Sequence, residues 1–214
     1  MALHSSKYSN RQELRDRIVE VSMEQFSSKG IKNVTMDNIS SLLGISKRTL
    51  YEIFPDKETL LVCCMELSEI KAQEYLKTVL ESSKNVMEMV LHVYQHTITR
   101  FQSLNPSFLQ EITKYPKAYQ LYLDNREASS ERAYQFFQDG VNQGLFRSDV
   151  NFVIVRALIR GQFNLLLHSD IYRSYSFLEV LEAIIFTFLR GICTDKGAQI
   201  LDDFIEERRN ARKK

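Results

Sequence analysis

Chain breakers are scarce in this sequence. Seven Gly and three Pro occur in 214 residues, too few to punctuate the many short strands of a β fold, so long helices are expected. The apolar positions agree. Leu14, Ile18 and Val21 fall on one helical face, and Gly30 stands where a C-cap glycine belongs. Thr35 can cap a second helix whose stripe is Met36, Ile39, Leu42 and Leu43. Asp37 lies in its first turn, where a carboxylate suits the helix dipole. Gly44 interrupts. Ser46 can cap a third short helix, Lys47 to Ile53, which Phe54-Pro55 ends because a residue before proline avoids the helical region. Asp56 can cap a fourth helix running towards Leu80.

Helical spacing continues over about residues 84–104. A short helix follows Asn105-Pro106 and stops at Tyr115-Pro116. A long helix spans about 117–143 and is closed by Gly144. Two very apolar helices lie near 149–168 and 177–193, joined by the loop 169–176. Residues 1–10 are polar and expected to be loose. The tail from Lys196 carries Ile200, Leu201, Phe204 and Ile205, then Arg208, Arg209, Arg212, Lys213 and Lys214 as a solvated basic end. The expected fold is all-α: an N-terminal three-helix helix-turn-helix head, residues 1–55, plus a larger C-terminal helical bundle domain, residues 56–214.

Composition narrows the function classes. Apolar residues make up 44% and charged residues 26%, the balance of an ordinary globular protein. The net charge of +1 means that a nucleic-acid partner must be met by a local patch. Cys63, Cys64 and Cys193 are too few, and odd in number, for a disulfide framework, which points to a reducing compartment. The first residues lack the apolar core of a signal peptide. No apolar run approaches the roughly 20 residues of a membrane span; the longest, Val180 to Cys193, carries Glu182 and Arg190. A cytoplasmic location without membrane contact is expected.

Catalytic patterns do not emerge. The sequence has no Gly-rich phosphate loop, no Gly-x-Ser-x-Gly elbow and no Cys-x-x-Cys pair. His168 lies beside Ser169-Asp170, but adjacency in sequence is not triad geometry. No catalytic residue or cofactor is assigned, and the chain is not expected to be an enzyme. Glu88, His92 and His96 at i, i+4, i+8 share one helical stripe, as metal ligands would. Gln95, Thr99 and Gln102 share that side, so it reads as a solvated face and no metal is expected.

The stretch Thr35 to Lys57, TMDNISSLLGISKRTLYEIFPDK, carries the functional signal. Two short helices meet at the turn Gly44-Ile45-Ser46, a helix-turn-helix arrangement in which glycine permits a backbone that other residues resist. Ile39, Leu42, Leu43, Ile45 and Leu50 can pack the two helices together. The free face of the second helix then presents Lys47, Arg48, Thr49, Tyr51 and Glu52, as a helix reading the major groove requires. Arg48 could contact a guanine with both arms of its guanidinium, worth about 1–3 kcal/mol of discrimination. Thr35 and Lys57, each at a helix start, suit phosphates. A plain helical hairpin with a solvated charged face satisfies the same spacing.

The same residues resemble the DNA-binding head of the TetR/AcrR family of bacterial regulators. The matching elements are Thr35, Ile39-Ser40, Gly44-Ile45-Ser46, Thr49-Leu50-Tyr51, Phe54, Lys57-Glu58 and Leu60. Lys47-Arg48 departs from the smaller residues that many members carry, which leaves the operator sequence open. The resemblance implies that Thr35, Tyr51 and Lys57 contact phosphates. It puts Lys47, Arg48 and Thr49 nearest the bases, with Ser46 beside them, and Phe54 in the core. It further implies a dimeric repressor, released from a near-palindromic operator on double-stranded DNA by a small apolar effector. The homodimer would form through the helices near 150–168 and 177–193. Met87, Met89, Tyr94, Phe101, Phe108, Tyr119, Tyr122, Phe136, Phe137 and Phe163 offer apolar lining, but helical spacing marks such residues first as core, so no ligand-binding residue is assigned.

Overall fold

The computed structural model of the chain describes residues 2–105, 107–168 and 174–211. These form α1 (Ala2–Lys29), α2 (Met36–Leu43), α3 (Lys47–Ile53), α4 (Lys57–Ser82), α5 (Val86–Gln102), α6 (Phe108–Ile112), α7 (Pro116–Asn142), α8 (Phe152–His168), α9 (Phe177–Ile192) and α10 (Asp195–Ala211). The fold is all-α, and no β-strand occurs among the described residues; one isolated antiparallel bridge pairs Phe146 with Cys193. No described helix is long and apolar enough to cross a membrane.

Three sequence expectations need correction. Residues 2–10 continue α1 instead of lying loose; no glycine or proline precedes Gly30, so nothing breaks the helix. The tail is not merely a solvated end, because residues 195–211 form α10. Leu201 is fully buried there, and Ile200, Phe204 and Ile205 pack around it. Arg212, Lys213 and Lys214 lie outside the described residues, as does most of the loop 169–176. Leu42 does not join the α2 stripe: it is 58% exposed, whereas Met36 and Ile39 are buried. At 3.6 residues per turn, Leu42 sits roughly a quarter-turn off the line through Met36, Ile39 and Leu43.

Compactness divides the chain into two units, Met1–Glu74 with Ser103–Arg126, and Tyr75–Gln102 with Glu127–Lys214. α4 and α7 contribute residues to both units, and α6 falls in the first. The first unit is built on Ile18, Phe26, Ile39, Leu50, Phe54, Leu60 and Leu61, joined by Phe108, Ile112 and Ala118. Burying such side chains stabilises by about 1.5–3 kcal/mol each.

The second unit packs Met87, Leu91, Phe137, Leu145, Phe146, Leu189, Ile192 and Leu201 into one cluster. Phe137 stacks on Phe152 with ring centroids 4.5 Å apart and on Phe146 at 5.8 Å. The α7–α8 connection is pinned to the α9–α10 joint by Arg147 N–H donating to the Ile192 carbonyl (2.9 Å) and Thr194 N–H to that of Leu145 (3.0 Å).

A polar network holds α10 in that unit. Arg208 lies largely buried over the rings of Tyr94 and Phe204, 5.1 and 5.9 Å from their centroids. It donates to Glu182 at 2.8 Å, and the Tyr94 hydroxyl donates to the same carboxylate at 2.5 Å. Removing one partner of such a charged hydrogen bond costs about 1.5–3 kcal/mol. Arg208→Ala should therefore lower the unfolding free energy by that amount, read as a lower urea midpoint at unchanged slope. An unchanged midpoint would show that Leu201 and Phe204 hold α10 by themselves.

Candidate nucleic-acid interface

The helix-turn-helix is assembled by caps that satisfy the orphan groups of very short helices. Thr35, in extended conformation, accepts the Asn38 N–H (3.1 Å) while the Asn38 side chain accepts the Thr35 N–H (2.9 Å), a reciprocal capping box. The Thr35 hydroxyl also donates to Asn38 at 2.7 Å. Gly44 closes α2 with φ +66°, and the N–H of Ile45 reaches back to the Ser40 carbonyl at 3.0 Å. A side chain in this left-handed conformation would be strained, which is why glycine ends the helix. Ser46 accepts the Thr49 N–H at 3.0 Å and shares a 2.8 Å hydrogen bond with the Thr49 hydroxyl.

These constraints turn Leu50 fully inward and leave the rest of α3 facing out. Ser46, Lys47, Arg48, Tyr51 and Glu52 are exposed and Thr49 is half-buried. The Arg48 side chain is 89% exposed, and its Nε donates to Glu52 one turn on at 2.8 Å. That hydrogen bond, then the Glu52 charge, raises the Arg48 pKa. The two terminal guanidinium nitrogens are the fork that a guanine edge would need. Lys47 pairs with Asp37 of α2 at 2.5 Å, tying the two helices across the turn. Arg11 of α1 donates to the Glu52 carbonyl at 3.3 Å.

Lys57 stands apart from this face. It is half-buried, its Nζ donates to the Ile31 carbonyl, and it lies 5.7 and 5.9 Å from the ring centroids of Phe26 and Tyr115. Burial lowers its pKa, and the negative charge of Glu111 partly opposes that shift. Sequence reasoning missed three acidic neighbours of the site: Asp37 and Glu52 as partners of the basic residues, and Glu111. No local pattern announces Glu111, which reaches its partner Lys32 across 79 residues.

The metal-like stripe dissolves into other roles. Glu88 accepts the Lys84 N–H, His92 lies 3.4 Å from the Ser83 hydroxyl, and His96 stacks on Tyr75 at 3.8 Å. No group of three metal-type ligands occurs among the described residues. Cys63 is half-buried; Cys64 and Cys193 are buried; all three are free thiols. The apolar candidates divide between the units: Phe108, Tyr119 and Tyr122 fall in the first, Met87, Met89, Tyr94, Phe136 and Phe137 in the second. The side chains of Phe101 and Phe163 lie outside the described residues.

Two caps yield measurable expectations. Thr35→Ala removes the hydroxyl that accepts the Asn38 N–H, leaving only the backbone half of the capping box, and should cost about 1 kcal/mol in denaturant unfolding. Asp56 accepts the Thr59 N–H at 2.6 Å, and this bond with that of the Thr59 hydroxyl holds its carboxyl below the ordinary 3.8. A carboxyl whose pKa falls on folding contributes stability above its unfolded value and loses it as pH falls through the folded value. The stability difference between wild type and Asp56→Asn should therefore be constant above about pH 5 and change on acidification below about pH 4. A pH-independent difference would contradict a role for the ionised cap.

Comparison with known proteins agrees with this geometry. Residues 18–63 match the sequence profile of bacterial regulatory proteins of the TetR family. An HTH-type transcriptional regulator of Staphylococcus aureus (strain USA300) is 27% identical over 137 residues, 64% of this chain and 69% of that protein. The HTH-type transcriptional regulator AcrR of Shigella flexneri is 27% identical over 93 residues, 41% of this chain and 43% of that one. Among solved structures, a TetR-family transcriptional regulator from Agrobacterium tumefaciens superimposes with a TM-score of 0.70 at 15% identity, covering 86% of this chain and 100% of its own. A transcriptional regulator from Saccharomonospora viridis in complex with choline gives 0.67 at 22% identity, with 86% and 99% covered. A helix-turn-helix with an outward basic face and a matching profile over residues 18–63 give this chain a head of the bacterial TetR regulator type, and its helical fold is similar to that of solved TetR-family regulators.

Proposed function

We propose that this regulator is a non-catalytic, dimeric repressor of the cytoplasm that leaves a near-palindromic operator when a small apolar ligand binds. Residues 1–55, with Lys57 just beyond them, meet the DNA, and residues 56–214 otherwise carry the effector and dimer functions. The outward face of α3 carries the reading. Arg48, with Nε bonded to Glu52 and its fork exposed, reads a base edge. Lys47 and Thr49 lie beside it, Ser46 starts the helix, and Tyr51 reaches a phosphate. Thr35 and Lys57 contact the backbone of the same half-site.

The dimer rests on α8 and α9. Val153, Ile154 and Leu158 are 63%, 57% and 54% exposed, and with Ala157 and Gly161 they form one apolar stripe along α8. An apolar stripe of this kind calls for a partner. Ala183, Thr187 and Gly191 line the exposed side of α9, flanked by half-buried Val180, Ile184 and Phe188. Two such helices and their copies make a four-helix interface. Two heads then meet half-sites about one DNA turn, or a multiple, apart. The choline bound by the S. viridis regulator supports a small-molecule effector on this fold. An effector that prefers the state with wrongly spaced heads lowers DNA affinity by shifting the population.

Selection of duplexes from a random pool at about 0.15 M salt should enrich an inverted repeat. Arg48→Ala should then cost about 1–3 kcal/mol and relax preference at one position of each half-site; uniform weakening across sequences would make Arg48 a phosphate contact. Leu158→Glu should convert the sedimenting species from dimer to monomer. A variant that remains dimeric would remove α8 from the interface.

A further inference from the structure

Among the described residues Glu111 is the one charged side chain that is buried, at 9% exposure. A buried carboxylate is expensive unless donors surround it, and here they do. One oxygen accepts the backbone N–H of Lys32 at 2.7 Å; the other accepts the Ser107 hydroxyl at 3.1 Å. The one proton of that hydroxyl is shared with the Asn105 side-chain oxygen at 2.8 Å, the Ser107 N–H donates to the same oxygen at 3.0 Å, and Asn105 N–H donates to the Ser27 carbonyl at 2.6 Å. The segment carrying α6 is thus stitched to the end of α1 and to the α1–α2 turn.

The turn is shaped to receive it. Gly30 has φ +84°, and a Cβ there would come within 3.0 Å of the Ser107 Oγ and 3.2 Å of the nearer Glu111 oxygen. Ile31, beside it, supplies the carbonyl that holds Lys57. Five residues beyond Gly30, the same turn delivers Thr35 to the start of α2. Two of the three groups assigned to phosphates, Thr35 and Lys57, are therefore anchored on a turn whose own anchor is Glu111.

We propose that Glu111 is a positioning residue for DNA binding: from its buried seat on α6 it fixes the α1–α2 turn and so sets where Thr35 and Lys57 present their donors. The proposal rests on the operator-binding reading above. It makes Glu111 act through other residues, without touching DNA.

The test is a titration of fluorescent selected duplex with the full-length chain over a salt series. Wild type, Glu111→Gln, Glu111→Ala, Lys57→Ala and the Glu111→Ala/Lys57→Ala double variant are compared. Glu111→Ala should weaken binding about tenfold. It should also reduce the steepness of log affinity against log salt by about 0.9 for each phosphate no longer neutralised. With Lys57→Ala already present, the further loss should be smaller, because the part of the effect that runs through Lys57 is already gone and only the part through Thr35 remains. Glu111→Gln keeps an acceptor for Lys32 without the charge; it should retain wild-type helicity and bind roughly threefold more weakly. A structural role alone would leave the salt slope of the folded protein intact. If Glu111→Gln folds and binds with wild-type affinity and slope, or if the Ala effects multiply independently, the proposal is overturned while operator binding stands. If Glu111→Ala does not fold, the slope and affinity of Glu111→Gln decide. If wild type enriches no duplex, the operator reading falls and the role of Glu111 falls with it.

Discussion

A seven-residue helix has no stability of its own: nucleation is costly, and helices of that length are marginal in water even with the best sequences. α3 is such a helix, and Leu50 is its one fully buried side chain. That leucine shares a cluster with Ile39 of α2, Phe54 at the end of α3, Leu60 and Leu61 of α4, and Ile18 and Phe26 of α1. The geometry of the whole interface follows from this attachment. Because Leu50 is drawn inward, Lys47, Arg48 and Tyr51 have to point out, and because the helix is anchored so narrowly, its ends must be closed by caps.

The caps form a complete local account. Thr35 and Asn38 satisfy each other at α2, Gly44 returns the chain, Ser46 starts α3, and Asp56 starts α4. Basic side chains on the outer face are then steadied by acids one turn or one helix away, Arg48 by Glu52 and Lys47 by Asp37. Exposed pairs of this kind add little stability. Their consequence is orientation: a guanidinium held through Nε keeps its fork in a defined direction.

Much of this is legible in the sequence because its causes are local. Spacing and caps predict α3 over Lys47 to Ile53, and it spans those residues, since Ser46 and Phe54-Pro55 act on their immediate neighbours. The burial of Phe54, Ile39 and Leu50 follows from helical spacing. Where spacing alone is ambiguous, it misleads: Leu42 faces solvent because a stripe of three positions already fills the inner side of α2. Arg208 reads as part of a basic tail, yet it lies over Tyr94 and bonds Glu182. Its neighbours come from α5 and α9, more than a hundred residues away in one case.

The sequence by itself therefore determined α2 and α3, the caps Thr35, Gly44, Ser46 and Asp56, and the face that α3 exposes, because each depends on residues within a few positions of one another. Tertiary structure decided what is buried between distant segments. It made Glu111 the anchor of a turn 79 residues away and turned Lys57 towards Ile31. It also left the apolar stripe of α8 uncovered while the similar run in α9 buried Leu181 and Leu189. Periodicity can say that a side chain faces one way; only the packing of the other helices says what waits there.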